Sequence, residues 1–377
     1  MDGLRYNEFS PMKIWTQADK LKMLARGEDV CPSTLELDVC SHCNHKCSWC
    51  VDPKGSHDNV FMDVAVAQAI ITDAFEMGIR GLVFKGGGEP SLHPEFEQIL
   101  KAAKMIGFEI GVVTNGTNLE RLSAAYLETL AYIRISTDGA TPTTRLKTHG
   151  IDDFDELRDS IKRFTVKRTG RHPVIGLSFC MEYEDINEIP LAITMGEKAG
   201  VDYTLLRPVF GEEVGYTPTH SPKEAALLRK EIAKHAAIHT GKMLVMAGNW
   251  KGDKEFESSK PNINISAMVR RDMLVQENHS NGIEHQTHRC LAAGLLLVIT
   301  ANLDVYFCCC TRGLPQFKMG NLTDFTLRDF WEAGKFKPQL ERLKRCECLP
   351  FCTHPMEKYN RIIEYLSLEH KHHANFI

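Results

Sequence analysis

Between Thr34 and Arg207 the sequence alternates two kinds of segment, and that alternation restricts the fold more than any other feature. Six short runs read as strands: Thr34–Val39, Gly81–Lys85, Glu109–Thr114, Tyr132–Thr137, Val174–Glu182 and Tyr203–Arg207. Val64–Met77, Glu95–Ile106, Asn118–Leu130, Phe154–Arg168 and Ile189–Ala199 lie between them and read as helices. A strand–helix–strand repeat makes neighbouring strands parallel and backs them with helices. Six strands fall short of the eight that close a barrel. The expected fold is therefore α/β, a partial (β/α)6 barrel.

The rhythm divides the chain. Residues 1–34 form a polar lead-in and 35–210 the barrel. Residues 211–289 read as a bridge, with one helix at Pro222–His239 and then a polar stretch of loops able to cover the barrel mouth. Residues 290–377 read as a small cysteine-rich domain, with a hairpin (Leu295–Thr300, a turn at Ala301–Asp304, Val305–Cys309) and a helix at Leu327–Ala333.

Cysteine placement gives the first chemical signal. Cys43, Cys47 and Cys50 follow the first strand with spacing Cys-x3-Cys-x2-Cys. A closed zinc site takes four ligands in a tetrahedron. A 4Fe–4S cluster held by three cysteines keeps one iron open to another ligand. Zinc remains an alternative here, with Cys40 as fourth ligand and His42 or His45 assisting. A second signal, Gly86-Gly87-Gly88-Glu89-Pro90, ends the second strand. Glycines let a polar ligand approach the backbone, and a carboxylate accepts hydrogen bonds from an ammonium group.

Together these motifs resemble the signatures of the radical S-adenosylmethionine (SAM) superfamily. The resemblance covers roughly residues 35–208. It implies a 4Fe–4S cluster on Cys43, Cys47 and Cys50, with the methionine end of SAM on the open iron. It implies reductive cleavage of SAM to a 5′-deoxyadenosyl radical that abstracts hydrogen from a substrate, with electrons from a flavodoxin- or ferredoxin-type donor. Gly87, Gly88 and Glu89 inherit the binding of the SAM amino group. Ser136 and Asp138, in Ile135-Ser-Thr-Asp-Gly139, inherit contacts near the SAM carboxylate and ribose; strand-end turn chemistry or helix capping also explains both. Cys40 stands where related chains carry a non-thiol residue, and it reads as a buried small hydrophobe.

The late cysteines resemble the SPASM or twitch extensions of the same superfamily, which hold auxiliary 4Fe–4S clusters. Cys290 and Cys308 flank the hairpin, and Cys346, Cys348 and Cys352 form a short Cys-x-Cys-x3-Cys run that suits one cluster. The implied ligands are Cys290 and Cys308 with two of Cys346, Cys348 and Cys352; zinc is again the alternative. Cys309 should point away from Cys308 and Cys310, because residues alternate faces along a strand. Where the family has a glycine five positions before the second cysteine, this chain has Leu303.

Substrate signals are sparser. Lys85 and Arg207 end strands two and six, and two cations there favour a phosphate or carboxylate. Lys85 also serves as a candidate base if burial lowers its pKa; alternatively either residue pairs with a barrel carboxylate such as Glu36 or Asp38, or with the SAM carboxylate. Cys180 on strand five is a candidate hydrogen donor, or simply packs in the core. The short lead-in argues against a leader-peptide-binding domain. The expectation is a small polar substrate (a sugar, aminocyclitol or related intermediate) that undergoes dehydrogenation or epimerisation. A maturase acting on a ribosomally made peptide or protein side chain is the alternative. A zinc-stabilised, non-catalytic binding protein is the alternative of another class.

A net charge of -4 gives no reason to expect nucleic acid or a membrane as partner. Met1–Lys13 is polar and carries both charge signs, unlike a signal peptide. Leu291–Ile299 is far too short to span a bilayer. A cytoplasmic location is expected, and there thirteen cysteines read as metal ligands rather than disulfides.

Overall fold

The computed structural model describes residues 11–50, 59–121, 127–170, 172–209, 221–247, 290–345 and 354–367. These fall into two compact units.

The larger unit comprises Pro32–Asn249 and Leu296–Lys337. Its single sheet begins with six parallel strands in sequence order: β1 (Thr34–Leu37), β2 (Gly81–Phe84), β3 (Glu109–Thr114), β4 (Leu130–Ser136), β5 (Val174–Met181) and β6 (Tyr203–Pro208). This is the partial barrel expected. One set of alternate residues is fully buried and apolar: Leu35 and Leu37, Leu82 and Phe84, Ile110 and Val112, Ile133 and Ile135, Leu177 and Phe179. These face the helices Val64–Glu76, Phe96–Ile106, Phe154–Val166 and Ile189–Ala199, whose own buried residues complete the layer. Burying such side chains contributes roughly 1.5–3 kcal/mol each. The other set carries the polar and small residues Glu36, Lys85, Gly111, Tyr132, Arg134, Ser178, Cys180 and Arg207, with Val83, Val113 and Leu205 among them. Two of its glycines have a packing reason. A Cβ on Gly111 would lie 2.3 Å from the Tyr132 ring, and one on Gly176 would lie 1.9 Å from the Tyr203 ring.

Three features depart from expectation. A seventh parallel strand, β7 (Leu244–Ala247), pairs with β6 inside the segment read as a bridge. The late hairpin, β8 (Leu296–Ile299) and β9 (Asp304–Tyr306), does not stand apart from the barrel: β8 pairs with β1 in parallel, and β10 (Gly320–Asn321) closes the far edge. Leu303, at the turn between β8 and β9, has φ +64°. That conformation explains why a glycine suits the position and costs a leucine about 1 kcal/mol. A short helix, Pro142–His149, was also not anticipated. Thr141 caps it by accepting from Thr144 N, Pro142 sits at its first position, and Gly150 ends it at φ +67°. The expected helix Asn118–Leu130 includes residues 122–126, which lie outside the described residues, as do most of the loops of 211–289.

The smaller unit is Met1–Cys31, Trp250–Leu295 and Pro338–Ile377. The lead-in is not merely polar. Its helix Ala18–Ala25 buries Leu21 and Leu24 with Val30, Leu295, Met356, Tyr359 and Ile363, the last three from the helix His354–Ser367.

Candidate active site

The cysteine loop leaves β1 and is held by backbone at several points. Lys46 N donates to His149 O (3.0 Å), and Ser48 N donates to Thr148 O (2.9 Å). Glu89 N donates to His42 O (2.8 Å), tying the loop to the glycine turn after β2. A Cβ on Gly88 would lie 2.1 Å from that same His42 carbonyl oxygen, and one on Gly86 (φ +147°) 2.0 Å from Asp38 Oδ1. The glycines are thus required by the approach of two backbone segments, before any ligand is considered.

Cys43, Cys47 and Cys50 lie on this loop as thiols outside any disulfide. Burial pushes Cys43 up to about 11 and raises Cys47 further; each is also raised by the charge of Cys50. Cluster assembly must therefore take protons from these thiols. Cys40 is buried, and its Sγ lies 3.1 Å from Glu89 O. It acts as a packed thiol linking the two motifs.

Glu89 is buried and organises the strand ends. Oε1 accepts from Ser91 N (3.1 Å), Ser91 Oγ (2.6 Å) and Thr114 Oγ1 (2.6 Å); Oε2 accepts from Asn115 N (2.6 Å). Burial pushes its carboxyl up and these donors oppose the shift. Asp138 is similarly engaged at φ +52°: Oδ1 accepts from Cys180 N (2.7 Å), and Oδ2 lies 3.0 Å from His149 Nε2. Ser136, half-buried, offers its carbonyl to Arg145 Nη1 (3.1 Å).

Several residues here escaped the sequence reading. His149 Nδ1 lies 2.9 Å from His45 Nδ1 and 3.5 Å from Cys47 Sγ. Burial and the His149 ring lower His45 to about 3, so it is neutral. Arg145 is fully buried, forms a two-point pair with Asp153 (2.8 and 3.0 Å), and donates to the carbonyls of Ser136, Thr137 and Asn115. The Thr141-Pro142 cap and Gly150 were the available signal for the helix that carries both His149 and Arg145.

Inside the barrel, Lys85 Nζ pairs with Glu36 Oε1 at 2.8 Å. Burial opposes its charge, but Cys309 and Glu36 outweigh burial and hold the ammonium above the ordinary lysine range. This is opposite to what a base needs. Arg312 pairs with Asp38 (3.4 Å) and donates to Gly86 O (3.1 Å). Cys180 receives a hydrogen bond from Arg207 Nε (3.1 Å), and burial pushes its thiol up to about 11. It therefore keeps its hydrogen at neutral pH.

The Sγ atoms of Cys308, Cys309 and Cys310 lie within 4.8 Å of one another. This corrects the expectation that Cys309 turns away: β9 ends at Tyr306, and the three residues lie beyond it, where strand alternation no longer applies. Thiol hydrogen bonds from Cys308 and Cys310 hold Cys309 well below the usual thiol range, helped by Lys85 and Arg312. Cys290 is buried in the smaller unit, its N donating to Leu343 O and its Sγ 3.9 Å from Asn360 Nδ2. Cys346, Cys348 and Cys352 lie outside the described residues. Among the described residues, no helix is long and apolar enough to cross a membrane.

Comparison with known proteins follows this geometry. Residues 38–193 match the family model of the radical SAM superfamily. A tungsten-containing aldehyde ferredoxin oxidoreductase cofactor-modifying protein of Pyrococcus furiosus is 28% identical over 189 residues, 48% of this chain and 53% of the relative. A probable GTP 3',8-cyclase of Saccharolobus solfataricus is 25% identical over 193 residues, 46% of this chain and 62% of the relative. The chain thus spans under two thirds of either relative's length. Streptococcus suis SuiB bound to its precursor peptide SuiA shares the fold at TM-score 0.64 and 15% identity, over 94% of this chain and 78% of SuiB. AdoMet-bound anSMEcpe shares it at TM-score 0.58 and 15% identity, over 89% of this chain and 97% of that structure.

Proposed function

With residues 38–193 forming a radical SAM domain, we propose that the protein abstracts hydrogen from a small, polar, anionic substrate and inverts the carbon it attacks. The family's cofactors are a 4Fe–4S cluster and SAM, which together supply a 5′-deoxyadenosyl radical. The residues fit them. Cys43, Cys47 and Cys50 present three thiols, none in a disulfide, on one loop. Glu89 already accepts four donors, so the carbonyls of the Gly87–Gly88 turn are left to receive the SAM amino group, and the Glu89 carboxylate keeps that turn in place. Ser136 and Asp138 border the same strand ends. Cys308, with Cys309 and Cys310 beside it, offers thiols for an auxiliary cluster.

The observation that carries the reading is Cys180. It lies on the polar face of β5, retains its hydrogen, and is held by Arg207. A protonated thiol can return a hydrogen atom to a carbon radical. The resulting sulfur radical then takes one electron and one proton, the electron coming from the external flavodoxin- or ferredoxin-type donor. Dehydrogenation would instead need a base, and Lys85 is held as a paired ammonium. The GTP-cyclase relative, whose name specifies a phosphate-bearing small molecule, supports the substrate class.

The test is anaerobic incubation of reduced, cluster-reconstituted protein with SAM in deuterated water, with phosphorylated sugars as candidate substrates. About eight irons per chain, formation of 5′-deoxyadenosine, and deuterium at a substrate carbon that disappears in Cys180→Ala are expected. Zinc in place of iron, with no 5′-deoxyadenosine, would refute the enzyme reading. A net two-electron loss from the substrate would replace inversion by dehydrogenation.

A further inference from the structure

Among the described residues, the barrel interior holds Lys85, Arg134, Arg207 and Arg312, and three of the neighbouring carboxylates are already engaged. Glu36 pairs with Lys85, Asp38 with Arg312, and Asp138 with His149 and Cys180 N. Among the described residues, two guanidinium groups have no carboxylate within ion-pair distance, although Asp138 acts on Arg207 at longer range. The Arg134 side chain, on the polar face of β4 opposite Val113 and Gly176, makes no hydrogen bond or ion pair among the described residues. Arg207, paired with Cys180 across β5 and β6, uses only Nε, toward the Cys180 sulfur, among the described residues. Its two terminal nitrogens stay available. Arg134 is level with Gly176 on β5 and Arg207 with Cys180, four residues farther along that strand, so the two flank this stretch of β5 from either side. Neither is fully exposed, and a half-buried guanidinium without an anion is unfavourable.

We infer that Arg134 and Arg207 form an anion-binding site next to Cys180 that takes the carboxylate or phosphate of the substrate. This rests on the function proposed above and narrows its substrate class. Guanidinium forks bind such groups through two parallel N–H···O bonds. The Tyr203 ring packs over Gly176, between the two arginines' strands, 1.9 Å from where a Cβ would stand. Arg207 lies away from the cysteine loop and the glycine turn, whereas Ser136 and Asp138, which the resemblance puts near the SAM carboxylate and ribose, are closer, and SAM affinity is therefore measured alongside phosphate. The cysteine loop follows β1 and the glycine turn follows β2, whereas Arg207 lies on β6, four strands farther along the sheet. Arg134 is also one layer deeper than Ser136 on its own strand.

The test uses inorganic phosphate as the probe and the cluster-reconstituted full chain, saturated with SAM. Equilibrium binding of phosphate and of SAM is measured for the wild type, Arg134→Gln, Arg207→Gln and Arg134→Lys, each checked for a native circular dichroism spectrum. Phosphate binding should weaken at least about tenfold in both glutamine variants and less in Arg134→Lys, which keeps the charge but loses the fork. SAM affinity should stay within about twofold. Loss of SAM affinity with phosphate binding intact would assign the arginines to the SAM carboxylate and overturn the inference. Absence of phosphate binding in the wild type, or equal binding in all variants, would overturn it too. SAM cleavage by the wild type is followed in parallel. Cleavage without phosphate binding sinks this inference alone, and phosphate binding without cleavage sinks the radical reading alone.

Discussion

Replacing Asp153 by asparagine should destabilise the larger unit and loosen the strand ends that face the cofactor. Arg145 has no exposed side-chain surface, and Asp153 is 16% exposed. Removing one partner of a buried pair leaves an uncompensated charge, at a cost of roughly 3–5 kcal/mol. Asparagine still offers one acceptor and Asp153 touches solvent, so the expected loss is about 2–3 kcal/mol. With a urea slope near 3 kcal/mol/M, that moves the midpoint down by roughly 0.7–1 M. The assay is urea unfolding of the full chain, followed by far-ultraviolet circular dichroism. Its pH dependence is a second check. Burial pushes the Asp153 carboxyl up, but the Arg145 hydrogen bonds and charge outweigh that and carry it below the usual range. A group with a depressed folded pKa stabilises above its unfolded value and loses that contribution as pH falls through the folded one. The gap between wild type and variant should therefore hold from neutral pH down to about 5 and close below about 4. A midpoint shift under about 0.2 M at neutral pH would show that Arg145 does not depend on Asp153.

Two further outcomes follow from the strand-end geometry. Glu89→Gln puts an amide donor where a carboxylate oxygen accepted, leaving at least one donor unmatched at about 1–3 kcal/mol; SAM affinity should fall about tenfold or more in equilibrium binding, and unchanged affinity would remove Glu89 from the role of holding the turn. Gly88→Ala places a Cβ 2.1 Å from the His42 carbonyl oxygen, a backbone atom that cannot swing aside. It should cost at least about 1–3 kcal/mol and lower the iron content by about four atoms per chain; full iron content would show that the turn and the cysteine loop do not need this approach.

The barrel was legible because its strands carry a period of two and its helices a period near 3.6, both local properties. Ile133 and Ile135 against Arg134 is one such case. The cysteine triplet and glycine turn were legible because metal and backbone constraints act over a few residues. His149 and Arg145 were not, because their partners Cys47, Asp138 and Asp153 are brought to them by folding. Cys309 was misplaced by extending strand alternation past Tyr306, where β9 ends. The pairing of β8 with β1 was also invisible, since register across such a separation depends on which strand edge stays open.

By itself, then, the sequence determined the parallel barrel, the three-thiol loop and the glycine–glutamate turn, since these depend on residue type and spacing. Tertiary structure decided the charge ledger inside the barrel: Lys85 neutralised by Glu36, Arg312 by Asp38, and Arg134 with no carboxylate among the described residues. Residue types alone could not give that result. A charge's worth depends on its partner's distance and on how much water reaches it, and both are set only when strands far apart in sequence close around one space.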